Sequence, residues 1–251
     1  MKRAIAATTL RLYQNFINGQ WMHSSSALPT RSCVFNPATA QPVAEAPLST
    51  SLDLEMAAEA AEAAFESWSR VPVEERLEFV ERFRELLSVR GEELVALLCE
   101  EGGLPLSIAR REVTEGLEAV EACAAVPAAM AAAEISAAGQ GLQVSSRLLP
   151  LGVCADIATA SFPSLASLWT LPLALVCGNT CLVKPSERFP GPAAFLVRLL
   201  DELQLPRGVV NLVHGDAGMA DRILGHRRVK AVSFVAAAGE GRRMYQRGLQ
   251  Q

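Results

Sequence analysis

Apolar positions along the chain follow a helical spacing in its first part and a strand-and-helix alternation in its second. From Ser51, residues Leu54, Ala57, Ala58, Ala61 and Phe65 recur three and four apart, which predicts an alanine-rich helix ending near Trp68. A second helix begins after Pro72, a good first-turn residue, with Glu74 and Glu75 near its positive end and Leu77, Val80, Phe83 and Leu87 on its apolar face. Gly91 is expected to interrupt it; a further helix covers Glu92 to Glu100, and Gly102-Gly103 stops that one. Another pattern runs from about Ser107 through Leu117 and Val120 to the region of Ala133, with Pro127 expected to kink or divide it. These stripes read as core packing.

Ahead of the helices, Phe16-Ile17-Asn18-Gly19-Gln20-Trp21 sets an Asn-Gly pair between apolar residues, a hairpin signal because both turn positions need positive φ. Cys33 to Phe35 and Pro42 to Ala46 flank Asn36-Pro37 and add a further pair of short strands. Beyond Gly139-Gln140-Gly141, the segment Gln143 to Leu149 alternates weakly. Strands are then expected at Gly152 to Ile157, Thr180 to Val183, Val209 to Val213 and Val229 to Val235. Helices fall between them: one holding Leu165, Leu168, Trp169, Leu173 and Val176, one from about Pro192 to Leu203, and a short one ending at Gly225. Parallel neighbours need crossovers, so four strands separated by helices predict an α/β protein with a parallel, doubly wound sheet.

Half of the 251 residues are hydrophobic, enough for a sizeable core in one large domain or two small ones. Net charge is −4 and no basic stripe is present, which argues against nucleic acid as a partner. Six cysteines (Cys33, Cys99, Cys123, Cys154, Cys177, Cys181) lie mostly in apolar runs without C-x-x-C spacing and read as reduced, buried thiols of an intracellular compartment. His23, His214 and His226 are too dispersed for a structural zinc site, and His214 reads as a loop residue. The longest apolar run, Phe162 to Val176, is broken by Pro163 and Pro172, so no membrane partner is expected. Residues 1–14 carry Lys2, Arg3 and Arg11 without an acid, which fits either a mitochondrial presequence or a frayed basic terminus.

Candidate chemistry concentrates in Val176 to Arg188, VCGNTCLVKPSER. Cys177-Gly178-Asn179 reads as a helix end and tight turn. Lys184-Pro185 then ends the following strand with a cation at its carboxyl end, where open α/β sheets bind ligands. Lys184, Ser186, Glu187 and Arg188 form a set suited to the hydroxyls and phosphates of a nucleotide; the alternative is an ordinary strand-to-helix loop with solvated charges. No G-x-G-x-x-G follows any strand, and Gly239-Glu240-Gly241 comes after the last one.

LPLGVCADIA, SFPSLASLW, VCGNTCLVKPSER, GVVNLVHGD and VKAVSFV, in this order, resemble the aldehyde dehydrogenases, and most closely the CoA-acylating methylmalonate-semialdehyde and malonate-semialdehyde dehydrogenases. Weaker similarity reaches back through Phe35-Asn36-Pro37-Ala38-Thr39 to FINGQW, so nearly the whole chain is covered. The resemblance implies a Rossmann-like sheet that binds NAD, with amino-terminal helices and a β-hairpin for oligomerisation. It divides the chain into residues 1–14 (presequence or frayed terminus), 15–142 (hairpin and helices) and 143–251 (NAD-binding sheet). The lysine matching Lys184 is similar in role to a binder of the NAD ribose, Ser186, Glu187 and Arg188 belong to the same loop, and the positions matching Ala158 and Ala160 line that site. The implied reaction oxidises an aldehyde held by a cysteine thiolate, passes hydride to NAD and releases the acyl group to CoA.

Three departures from the family pattern bear on that expectation. Ser161 stands where the family carries an asparagine that helps hold the oxyanion, and losing one aimed donor of this kind costs on the order of 3 kcal/mol elsewhere. Ala236-Ala237-Ala238 replaces a glycine-serine loop, removing at Ala237 a serine that would bond the cofactor pyrophosphate. By the resemblance, the segments matching the catalytic cysteine and general-base glutamate would come after Gln251, so the expectation is a truncated chain without the catalytic domain, to which no catalytic residue carries over and which is inactive in isolation. Three readings stay open: the NAD-binding portion of such an oxidoreductase, a shortened, non-catalytic paralogue or splice product serving as an interaction module, or a fragment with no independent function. The resemblance also implies a homo-oligomer or mixed oligomer, paired through a hairpin in the Gln143 to Ile157 region; together with the basic amino terminus it points to the mitochondrial matrix, with the cytoplasm as the alternative.

Overall fold

The computed structural model describes residues 10–28, 30–133, 135–139, 142–158 and 160–250. Lys2 and Arg3, and with them most of the basic segment 1–14, lie outside the described residues, as do Gln140, Gly141 and Thr159. Strands β1 (Arg11–Leu12), β2 (Asn15–Ile17) and β3 (Gln20–Met22) open the chain, with the last two joined through Asn18 and Gly19 at φ 51° and 74°. Both turn residues are left-handed, as a two-residue hairpin of this twist requires. Strands β4 (Arg31–Phe35) and β5 (Pro42–Pro47) pair antiparallel, and β1 completes a three-stranded sheet by running parallel to β5.

Helix α1 (Ser51–Trp68) starts at a capping box, in which the Asp53 amide donates to Thr50 Oγ1 at 3.2 Å and the Thr50 amide to Asp53 Oδ2 at 2.7 Å. Helix α2 (Val73–Gly102) is continuous, so the expected break at Gly91 does not occur. Gly91 is there for packing: a Cβ at that position would lie 3.3 Å from Val113 on the neighbouring helix. Helix α3 (Leu106–Glu121) passes through a 3₁₀ turn (Ala122–Ala125) into α4 (Val126–Ala133), which places Pro127 in a first turn, where its missing N–H costs nothing. By length and composition alone the run Leu106–Ala133 is apolar enough to span a bilayer, although no such run stood out in the sequence. Here α3 is docked on the fold, burying Ala109, Glu112, Val113, Gly116 and Val120.

Strands β6 (Ile135–Gly139) and β7 (Leu142–Ser146) form a separate antiparallel hairpin. The hairpin therefore overlaps the expected Gln143 to Ile157 region only in β7 and begins before it, at Ile135, while the last part of that region, β8 (Val153–Ile157), is a central parallel strand. Then follow α5 (Leu165–Val176), β9 (Thr180–Lys184), α6 (Gly191–Glu202), β10 (Val210–Leu212), α7 (Ala217–Leu224), β11 (Val229–Phe234) and α8 (Ala238–Gly248). The main sheet runs β11-β8-β9-β10-β2-β3, with the first four strands parallel and the amino-terminal hairpin added antiparallel through Phe16 opposite Leu212. Strand β9 is buried on both faces: Cys181 and Val183 point into the core under α2, α5 and α6, while Leu182 points into the core under α1 and α7.

One buried charge stands out. Asp156 on β8 faces α5, where Ser167 Oγ donates to it at 2.5 Å and Thr170 Oγ1 at 3.1 Å, and no cation among the described residues pairs with it. Burial pushes its pKa from 3.8 up to about 6 despite those two hydroxyls. The native state thus holds this proton where the unfolded chain has lost it, and stability falls as pH rises from about 4 to about 6. Asp156→Asn is expected to match the wild type near pH 4 and to exceed its stability at pH 7.5 by about 3 kcal/mol. Denaturant melts of both proteins at the two pH values check this; equal differences at both would refute it.

Candidate functional site

Strands β8 and β9 lie in register, Val153 opposite Thr180 and Ile157 opposite Lys184, so their carboxyl ends leave the sheet side by side. The Ala158 amide donates to the Lys184 carbonyl at 2.9 Å and extends that pairing into the loops. On the other side of β8, Phe234 of β11 sits opposite Ile157. The chain moves outward from β8 to β9 and β10, then crosses back to β11, so strand order reverses at β8. This reversal is where open α/β sheets form ligand crevices.

A cleft of about 290 Å³ opens there. Ala158, Ala160, Ser161, Lys184, Ser186, Glu187, Arg188 and Ala237, the residues singled out in the sequence, all line it. Ala217, Ala220, Glu240 and Met244 line it too and carried no sequence signal, because they come from the inner faces of α7 and α8. Other grooves among the described residues include one of about 300 Å³ between α2 and α6 and one of about 650 Å³ along β11 and α8. Neither contains the chemistry-bearing loop.

Within the cleft Lys184 is 2% exposed, and its Nζ donates to the Pro185 carbonyl at 2.8 Å and pairs with Glu187 Oε2 at 3.4 Å. Burial lowers the lysine pKa, while Glu187, Asp216 and Glu240 act to raise it. A buried donor beside a half-exposed carboxylate suits a vicinal diol, the hydroxyls accepting from the ammonium and donating to Glu187. Ser186 Oγ accepts from the Arg188 amide at 3.3 Å and fixes the turn of this loop. Helix α8 starts at Ala237 without a side-chain cap, leaving its first amides for an anionic group. Ala237 takes φ −60° at this N-cap and, as alanine, offers no hydroxyl there. Together these residues fit a nucleotide.

Residues 21–251 match the aldehyde dehydrogenase family. The chain belongs to that family. It is 37% identical over 241 residues to a malonate-semialdehyde dehydrogenase of Bacillus pumilus and 39% identical to malonate-semialdehyde dehydrogenase 1 of Bacillus licheniformis, covering 96% of itself and 49% of each. Among solved structures, methylmalonate-semialdehyde dehydrogenase from Oceanimonas doudoroffii superposes with a TM-score of 0.90 at 34% identity, over 96% of this chain and 49% of that one. A putative methylmalonate-semialdehyde dehydrogenase from Sinorhizobium meliloti 1021, solved with NAD, gives 0.90 at 31% identity over 97% and 49%. The chain thus spans about half the length of the curated relatives it matches.

In this aldehyde dehydrogenase fold the thiols are less buried than the apolar runs implied. Only Cys123 and Cys181 are buried; Cys33 is exposed, and Cys99, Cys154 and Cys177 are half-buried. The strand and helix-end positions were read correctly, but burial there depends on which neighbouring element covers each face. Burial pushes the Cys123 and Cys154 thiols up to about 11, raises Cys177 although Arg76 opposes it, and raises Cys181 further. His214 lies in the loop after β10 and is 1% exposed; its amide donates to Asn15 Oδ1 at 3.0 Å and its Nε2 lies 3.1 Å from the Gln14 carbonyl. Burial holds it neutral, with a pKa lowered to about 3, so it serves as an anchor of the loop. Among the described residues no set of His, Cys, Asp and Glu gathers as metal ligands. Iodoacetamide at pH 7.5, followed by peptide mass mapping, is expected to modify Cys33 first and Cys123 and Cys181 last; early loss of Cys181 would contradict this burial pattern.

Proposed function

We propose that this chain is the NAD-binding part of an oxidoreductase that acts on methylmalonate or malonate semialdehyde and transfers the acyl group to CoA. The observation that supports it most is the convergence of Lys184, Ser186, Glu187 and Arg188 with Ala158, Ser161 and Ala237 in one cleft at the strand-order reversal. NAD, when bound, accepts the hydride removed from the aldehyde carbon. Lys184 and Glu187 hold the ribose hydroxyls as donor and acceptor, their orientation set by the Lys184–Pro185 contact. The amino end of α8 receives the pyrophosphate, and Ser161 turns a hydroxyl donor toward the reacting end. None of the chain's six thiols serves as nucleophile in this reading, since those beside the sheet are held protonated by burial.

Titration calorimetry with NAD tests the assignment. Binding that Lys184→Ala weakens by about tenfold or more is expected, because a charged hydrogen-bond donor is lost from a buried position. Saturation at about 100 times the dissociation constant then raises stability by roughly 2.7 kcal/mol. Absence of both effects in folded protein would remove the nucleotide reading and favour the non-catalytic interaction module.

The same proposal assigns assembly to the β6–β7 hairpin and the segment after it, where Val144, Leu148 and Leu149 are exposed. Light scattering is expected to give a defined oligomer that Leu148→Asp with Leu149→Asp shifts to smaller species. A monodisperse monomer before substitution would exclude that role.

A further inference from the structure

Phe162 has φ 58°, a left-handed conformation that is costly for an aromatic residue, and it sits between Ser161, which lines the cleft, and the first turn of α5. A strained residue of this kind persists only where its surroundings over-determine it. Phe162 is 46% exposed and its ring meets Trp169 at 6.3 Å between centroids, so apolar burial is a poor source of that constraint. A buried carboxylate lies immediately beyond it. Glu112 of α3 is 3% exposed, and its Oε1 accepts from the Ser164 amide at 2.9 Å, from Ser164 Oγ at 2.7 Å and from the Leu165 amide at 3.1 Å. Ser164 makes no side-chain cap of its own for α5. The capping acceptor therefore comes from another helix, over 50 residues earlier in the chain.

One turn farther along both helices, a Cβ on Gly116 would lie 2.3 Å from Leu168 Cδ1. Glu112 and Gly116 share one face of α3, as Ser164 and Leu168 share one face of α5. The missing side chain at Gly116 lets the helices approach closely enough for the carboxylate to reach the α5 amides.

We infer that Glu112 is a positioning residue: by collecting the first donors of α5 it holds Phe162 left-handed and thereby aims Ser161 into the cleft. The inference rests on the nucleotide reading only for its effect on ligand; the effect on the loop is independent of it.

Hydrogen exchange and NAD titration on the full chain separate the two. Glu112→Ala is expected to speed amide exchange of residues 160–165 by about tenfold while residues 94–98 of α2 keep their protection. Glu112→Gln, which retains an acceptor oxygen, keeps the wild-type rate. On the Phe162→Gly background, where the left-handed residue is unstrained, Glu112→Ala speeds exchange by a clearly smaller factor. NAD affinity falls about tenfold in Glu112→Ala and not in Glu112→Gln. If Glu112→Ala does not fold, Glu112→Asp, too short to reach all three donors, replaces it in each comparison. Unchanged exchange at 160–165, or an equal factor on both backgrounds, would overturn the inference. Wild-type protein that takes up no NAD would overturn the nucleotide reading, and the exchange comparison would still decide the role of Glu112.

Discussion

In-register parallel pairing of β8 with β9 is the constraint on which the rest of the architecture depends. Because Ile157 lies opposite Lys184, the two chain segments reach the carboxyl edge of the sheet at the same height, and the Ala158–Lys184 backbone bond keeps their loops together. A slip of one residue would turn Lys184 to the other face and exchange the apolar sets of Leu182 and Val183 between two distinct cores. The site is thus tied to the same register that buries the core.

Around that pair, polar side chains reached from distant elements hold the loops. Glu112 takes the first amides of α5. Glu101, fully buried at the end of α2, accepts from the Gly191 amide at 2.8 Å at the start of α6, from Arg11 Nη1 at 3.1 Å and from the Tyr13 hydroxyl. Asp216 caps α7, its Oδ1 accepting from the Met219 amide at 3.2 Å. The starts of α5, α6 and α7 each place a backbone amide on a carboxylate, whereas α8, whose first turn lines the cleft, has no side-chain cap. Asn15 plays a similar part between β2, Ser49 and the His214 loop. Burying these groups has a cost, seen in the raised pKa of Glu101 and Asp156, and that cost is met by bonds that specify loop geometry.

Much of this was readable from residue order. The Asn18-Gly19 turn, the four parallel strands and the Lys184-Pro185 strand end follow from local spacing and turn chemistry, and the long motifs in one order carried the family and with it the eight cleft residues. The misreadings share one origin. Gly91 looked like a helix end and is a contact with Val113; the cysteines looked buried, but four of the six are not; the hairpin was placed several residues too late. In each case the local pattern was sound, and the packing partner lay far along the chain.

By itself the sequence determined periodicity, turns and the order of strands and helices, because these depend on φ/ψ preference and on side chains within a few residues of one another. It also determined which residue types stand at the sheet's carboxyl edge. Only the tertiary structure decided that the amino-terminal hairpin extends the parallel sheet, that Glu112 and Glu101 cap helices 52 and 90 residues away, and that Phe162 is left-handed. Those features depend on long-range contacts whose energy appears only after the chain has closed large loops, and a one-dimensional pattern carries no record of which distant donor a buried carboxylate will meet.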